Sequence, residues 1–102
     1  MRQFDLVDNP SERSRGVAPY LLVLQSHLLE GADSVIVAPL VRDVRAPFSG
    51  IDLAVEVSGE TLTATLVELF SIERRLLKTV RGNLADHEDE IRRGLERLFT
   101  GF

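Results

Sequence analysis

Few side chains in this chain are of the kinds that do chemistry, and none recur at a catalytic spacing. His27 and His87 are its two histidines, and there is no cysteine. With no thiolate and no second close imidazole, a zinc-type ligand set is not expected. His27 stands beside Gln25 and Ser26, just after an apolar run, and His87 stands among acids; both read most simply as structural or surface residues. Glu88-Asp89-Glu90 could hold a cation, but a solvated helix face explains it better. Gly16, Gly31, Gly50, Gly59 and Gly82 are scattered singly and form no phosphate loop. Thr61, Thr63 and Thr65 make the polar face of a strand. Arg13 and Arg15 form the one pair suited to stabilising a phosphorane in RNA cleavage, although two arginines on a loop are commonplace. No catalytic residue, metal or cofactor is therefore expected. The chain reads as a protein that acts by binding.

The most informative feature is the ending, Leu98-Phe99-Thr100-Gly101-Phe102, which follows an amphipathic segment with no polar tail. Terminal residues are normally frayed unless something ties them down. Phe99 and Phe102 are therefore expected to pack on their own domain, on a second subunit or on a partner. Exposed aromatics beside arginines are common anchors of binding surfaces.

Upstream, Gln3-Phe4-Asp5-Leu6-Val7 alternates like a half-buried strand, and Asp8-Asn9-Pro10-Ser11 breaks it. A polar, basic loop runs to Gly16. Tyr20–Leu24 is a continuous apolar run, as in a strand covered on both faces. Gly31–Ser34 is a turn. Val35–Ala38 is β-branched, with Pro39 expected to limit its ladder; Leu40-Val41 extends the segment, and 42–50 is a loop. Leu53–Val57 and Thr61–Leu66 alternate cleanly around Ser58-Gly59-Glu60, the best hairpin in the chain. Residues 69–80 follow no single period and read as a strand and then a short helical or irregular piece. Asn83 is a candidate helix cap, with Asp86 completing an approximate capping box. Leu84, Ile91, Leu95 and Leu98 share one helical face. Acids crowd the first turns and arginines the last, as the helix dipole favours. Gly94 weakens this helix by about 1 kcal/mol relative to Ala, and a close packing contact would account for it. The sum is five or six short strands and one C-terminal helix: a mainly β fold, a small barrel or curled sheet capped by the helix.

The bulk properties agree. At 102 residues the chain is a single domain, residues 1–102. Its 44% apolar content suits a globular core. The net charge of −4 argues against direct binding to nucleic acid unless a local basic patch forms; Arg13, Arg15, Arg42, Arg45, Arg74, Arg75 and Lys78 could supply one, although ordinary solvated positions explain them better. No stretch approaches the roughly 18 apolar residues of a membrane span, and Met1–Asp5 lacks a signal peptide's apolar run. Those features and the absence of cysteine lead to an expectation of a cytoplasmic protein with no membrane partner.

Asn9-Pro10-Ser11, Pro19–Ser26 (PYLLVLQS), Leu28-Leu29, Val35–Leu40 (VIVAPL) and the ending Ile91, Leu95, Leu98–Phe102 together resemble CcdB-type toxins, in order and across nearly the whole chain. The resemblance implies an SH3-like barrel with a C-terminal helix, the fold shared with MazF-type toxins, assembled as a homodimer. It implies the toxin half of a type II toxin–antitoxin pair, one that poisons DNA gyrase by inserting between the A subunits and trapping the cleaved-DNA complex. A CcdA-like antitoxin would neutralise it with a disordered tail, and DNA would be contacted only through the antitoxin, which represses the operon. Carried over by position, the gyrase surface comprises Leu28, Leu29, Glu96, Phe99, Thr100, Gly101 and Phe102. Thr100 stands where the best-known members have Trp, Glu96 where they have an Asn-type residue, and Phe102 is larger than their terminal aliphatic. Two other readings stand beside this one. The first is a MazF-like endoribonuclease using Arg13 or Arg15 with a nearby acid or Thr. The second is a non-toxic relic that still binds an antitoxin and acts as corepressor.

Overall fold

The computed structural model describes residues 1–101. In chain order it contains β1 (Asp5–Asp8), β2 (Tyr20–Val23), β3 (Ser34–Val41), β4 (Leu53–Val57), β5 (Glu60–Ala64), β6 (Phe70–Glu73), β7 (Val80–Asn83) and α1 (Glu88–Thr100), with short 3-10 turns between some of them. The alternation in 53–64 folds as expected. β4 and β5 pair antiparallel from Leu53↔Ala64 to Val57↔Glu60, leaving a two-residue turn. Ser58 and Gly59 both have positive φ, 51° and 79°, the geometry that matches strand twist in a tight hairpin.

The strands form one antiparallel sheet in the order β4-β5-β3-β2-β1-β7, with β6 also on β3. β3 is the long central strand. Its first half pairs with β6 (Ser34↔Glu73 to Val37↔Phe70) and its last residues pair with β5 (Leu40↔Ala64, Val41↔Thr63). The sheet forks along one side of β3 and curls into a half-barrel. Pro39 does not limit the ladder. β3 runs through it, because its backbone polar groups face the gap where β6 has ended and β5 begins. There the missing N–H is not required, and its carbonyl accepts from Thr65 N–H and Thr65 Oγ1 at 3.0 and 2.8 Å.

β2 is buried on both faces, as its unbroken apolar run requires. Leu22 joins a large core with Leu6, Leu40, Val55, Leu62 and Ile91. Leu21 and Val23 join a smaller cluster with Val7, Val35, Val37 and Leu77. The large core lies between the sheet and α1, and Ile91 is fully buried in it. Residues 69–80, read as a strand and an irregular piece, hold β6, a 3-10 turn over Arg74–Leu76 and then β7. β7 escaped the sequence reading because Val-Arg-Gly-Asn carries one apolar residue and lies on the sheet edge.

The entry to α1 also differs from expectation. Asn83 ends β7, and its Oδ1 accepts from Ala85 N–H at 2.7 Å. A 3-10 turn over Ala85–His87 follows, and α1 itself starts after His87, whose side chain makes no capping bond. Asn83 thus binds the first residue of the preliminary turn from one position before its N-cap, Leu84, and the capping box with Asp86 is not what starts the helix. Gly94 has the contact its position called for. A Cβ there would sit 2.5 Å from Ile51 O and 2.7 Å from Leu66 Cδ1, so backbone and helix approach closer than any side chain permits. Gly101 terminates α1 in the left-handed conformation (φ 79°), its N–H donating to Arg97 O at 2.9 Å.

Candidate partner-binding surface

The last turn of α1 separates packing residues from presented ones. Leu95 is half-buried against the large core and Leu98 is half-buried. Glu96, Phe99, Thr100 and Gly101 all face outward. Phe99 is 71% exposed, so this aromatic is not part of the chain's own core. Thr100 Oγ1 donates back to Glu96 O, which satisfies the hydroxyl within the helix and leaves the methyl for contact. Phe102 lies outside the described residues.

Leu28 and Leu29 sit in a 3-10 turn between β2 and β3, started by Ser26, whose Oγ accepts from Leu28 N–H at 3.2 Å. They are 84% and 55% exposed. Arg74, the first residue after β6, supports the turn, donating to Ala32 O at 2.8 Å and Leu29 O at 3.3 Å. His27, the first residue of this turn, shares a concavity with Phe4, Asn83, Ala85 and Glu88. The turn therefore neighbours the start of α1. Phe99 and Thr100 are at the other end, about 18 Å along a helix rising 1.5 Å per residue. Within one chain the structure gathers Glu96, Phe99, Thr100 and Gly101, and places Leu28 and Leu29 apart from them.

A second feature was not evident from sequence. Arg15, Arg42 and Arg81 line one open concavity of about 850 Å³ with Asp8 and Tyr20. The register Asp8↔Tyr20↔Leu40 brings their strands together, whereas in sequence Arg15 and Arg42 are only two among several candidates for a basic patch and Arg81 is not singled out. Two of them are already engaged. Arg81 binds Asp8 through Nε and Nη2 at 3.0 and 2.9 Å, and Arg42 binds Glu60 through Nε and Nη2 at 2.5 and 3.1 Å. Arg15 donates to Asn9 O at 2.9 Å and so braces its own loop; Arg13 is exposed. The hydrogen bonds from Arg81 and Arg42 hold the Asp8 and Glu60 carboxyls below their ordinary values. A general base works best with a pKa near the working pH. These carboxylates are driven the opposite way.

Glu88 pairs with Arg92 at 2.9 Å and Glu90 with His87 at 3.3 Å, as on a solvated helix face. Among the described residues no group of three or more His, Cys, Asp or Glu side chains could hold a metal ion, and no helix is long and apolar enough to cross a membrane.

The family model described as CcdB protein matches residues 3–101. The chain belongs to the CcdB family. It is thereby a CcdB-type toxin, of the toxin–antitoxin kind, and the curled sheet with its C-terminal helix fits that assignment. No match was found among curated proteins. In this CcdB-family chain, the residues that the resemblance assigned to the target surface are exposed wherever the structure describes them.

Proposed function

We propose that this CcdB-family toxin binds the DNA gyrase A subunit through the C-terminal end of α1 and traps the cleaved-DNA complex, without itself catalysing a reaction. The observation that carries this reading is Phe99, a large aromatic held 71% exposed on the capped last turn of a helix anchored through Ile91 and Gly94. Ordering such a ring on binding costs little entropy, because the helix already fixes its position. Glu96, Thr100 and Gly101 flank it. Leu28 and Leu29 supply a second apolar patch. The active unit is a homodimer, and a cognate antitoxin neutralises it, contacting DNA on behalf of the complex. The chain's net charge of −4 suits that indirect role.

The test is a supercoiling-and-cleavage assay with purified chain, gyrase and closed circular DNA. Linear DNA trapped by the chain and reduced at least tenfold by Phe99→Ala is the expected result; aromatic hot spots commonly carry this much affinity. The ribonuclease reading has one observation in its favour, the meeting of Arg15 with Arg42 and Arg81 in one concavity. It is tested in parallel on single-stranded RNA. Cleavage abolished by replacing Arg13 and Arg15, with no trapped gyrase, would replace the proposal. Antitoxin binding with neither activity would leave the corepressor reading.

A further inference from the structure

Besides Phe99, the chain exposes an aromatic on a loop that packs against α1. Phe48 lies in the 42–52 loop and is 60% exposed. An isolated exposed phenylalanine on a loop is usually unremarkable, but this loop is held unusually well. Phe48 N–H donates to Asp52 Oδ2 at 3.0 Å, and Phe48 O accepts from Ile51 N–H and Asp52 N–H at 3.0 and 2.8 Å. The other oxygen of Asp52 accepts from Val67 N–H at 3.3 Å, tying the turn to the segment after β5. Gly50 O accepts from Arg97 Nη1 at 2.8 Å, and Ile51 O packs against Gly94. The Arg97 side chain and the Ile51–Gly94 contact thus fix the loop to the helix beside a cleft of about 410 Å³ lined by Gly50, Asp52, Leu53, Glu90 and Arg93.

The helical period decides what Phe48 can do. At about 100° per residue, Thr100 follows Arg97 by three positions and shares its flank. Phe99 is about 200° round from Arg97 and shares the flank of Arg92, whose guanidinium lies 5.9 Å from the Phe4 ring centre. One flank of the helix end therefore offers an aromatic of its own, Phe99. Among the described residues the other offers Thr100, on the side of Arg97, which holds the loop that carries Phe48.

We infer that the partner surface continues from the end of α1 onto the 42–52 loop, with Phe48 as its second aromatic anchor and Arg97 as the residue that positions the loop. This rests on the proposed gyrase reading and extends the same surface to the same partner, the gyrase A subunit. Phe99 stands on the last turn of the helix and Phe48 on a loop held to α1 by Arg97 and by the Ile51–Gly94 contact, so both segments are ordered before a partner arrives.

The experiment titrates the full-length chain and its Phe48→Ala, Phe48→Trp, Phe99→Ala, Arg97→Ala and Arg97→Ala/Phe48→Ala variants into gyrase with closed circular DNA. It reads trapped linear DNA, with thermal unfolding of each variant alongside. Phe48→Ala is expected to raise the half-maximal concentration at least tenfold, as expected of a buried aromatic anchor, while Phe48→Trp retains trapping. The Phe48→Ala unfolding midpoint stays within ~2 °C of the parent, as for other exposed substitutions. Arg97→Ala is expected to weaken trapping in the parent but add less than twofold in the Phe48→Ala background, since it acts through the loop. If Phe99→Ala loses trapping while Phe48→Ala stays within twofold of the parent, this inference is overturned and the gyrase reading stands. If the parent traps nothing, the gyrase reading fails and takes this inference with it. Equal losses from Arg97→Ala in both backgrounds would overturn the positioning role of Arg97.

Discussion

Gly94→Ala tests the contact that seats α1. In an exposed helix this substitution would stabilise by about 1 kcal/mol through propensity. Here the new Cβ would begin 2.5 Å from Ile51 O and 2.7 Å from Leu66 Cδ1. The leucine methyl can rotate away at modest cost. The carbonyl cannot, because its own turn is held by Asp52 and by Arg97. Helix and loop must separate by more than half an ångström, which loosens the seat of Ile91 and lengthens the Arg97–Gly50 bond. Overpacking of this kind costs about 1–3 kcal/mol or somewhat more. Because the clash is with backbone, the upper end of about 3 kcal/mol applies; less the propensity gain of about 1 kcal/mol, the expected net loss is about 2 kcal/mol, or roughly 10 °C in the unfolding midpoint for a domain of this size. Circular dichroism during heating and urea titration measure it, with an unchanged urea slope showing that stability alone has moved. Gly16→Ala is the control: nothing lies within 4 Å of its Cβ and its φ is not positive. That variant should gain about 0.4–1 kcal/mol through the unfolded state. A Gly94→Ala protein as stable as the parent would refute the claim that backbone contact requires glycine at this position.

Other outcomes follow from the same structure. Ser58 holds a positive φ in the β4–β5 turn, so Ser58→Asn, which favours that conformation, should raise stability by about 0.5 kcal/mol in urea titration. Asp8 and Glu60 have folded-state pKa values depressed by Arg81 and Arg42. Their contribution is present above the ordinary carboxylate range and is lost as pH falls below about 4 toward the lower folded values. Unfolding midpoints measured down an acid series should therefore drop less steeply in Asp8→Asn than in the parent. An unchanged slope would show that the Arg81 pair adds nothing. Phe99→Ala should leave the unfolding midpoint nearly unmoved, because the ring is mostly in solvent, so any loss of trapping would report on binding.

Much of the fold was legible wherever one physical rule acted alone. The β4–β5 hairpin follows from two alternating runs and a glycine, and β2 from an apolar run too short for a helix. Gly94 announced a close contact without saying with what. The misreadings have a common cause: a neighbour that only the folded sheet supplies. Pro39 is tolerated because β3 changes partners opposite it. β7 forms because β1 needs an edge neighbour, although its own residues hardly ask for a strand. The start of α1 was misplaced because Asn83 serves two elements at once. For the candidate surface, Phe99 could be read from the ending, whereas the separation of Leu28 and Leu29 from it, and the meeting of Arg15, Arg42 and Arg81, depend on strand register across distant segments.

Because Ile91 and Gly94 seat the helix and Gly101 closes it, the outward positions in its last turn carry almost none of the burden of folding. Residues 96, 99 and 100 can change identity at little thermodynamic risk to the domain. On the proposed reading, target preference can change there one side chain at a time, each variant remaining a folded protein, and a chain with Thr100 is no less sound than one with a ring in its place.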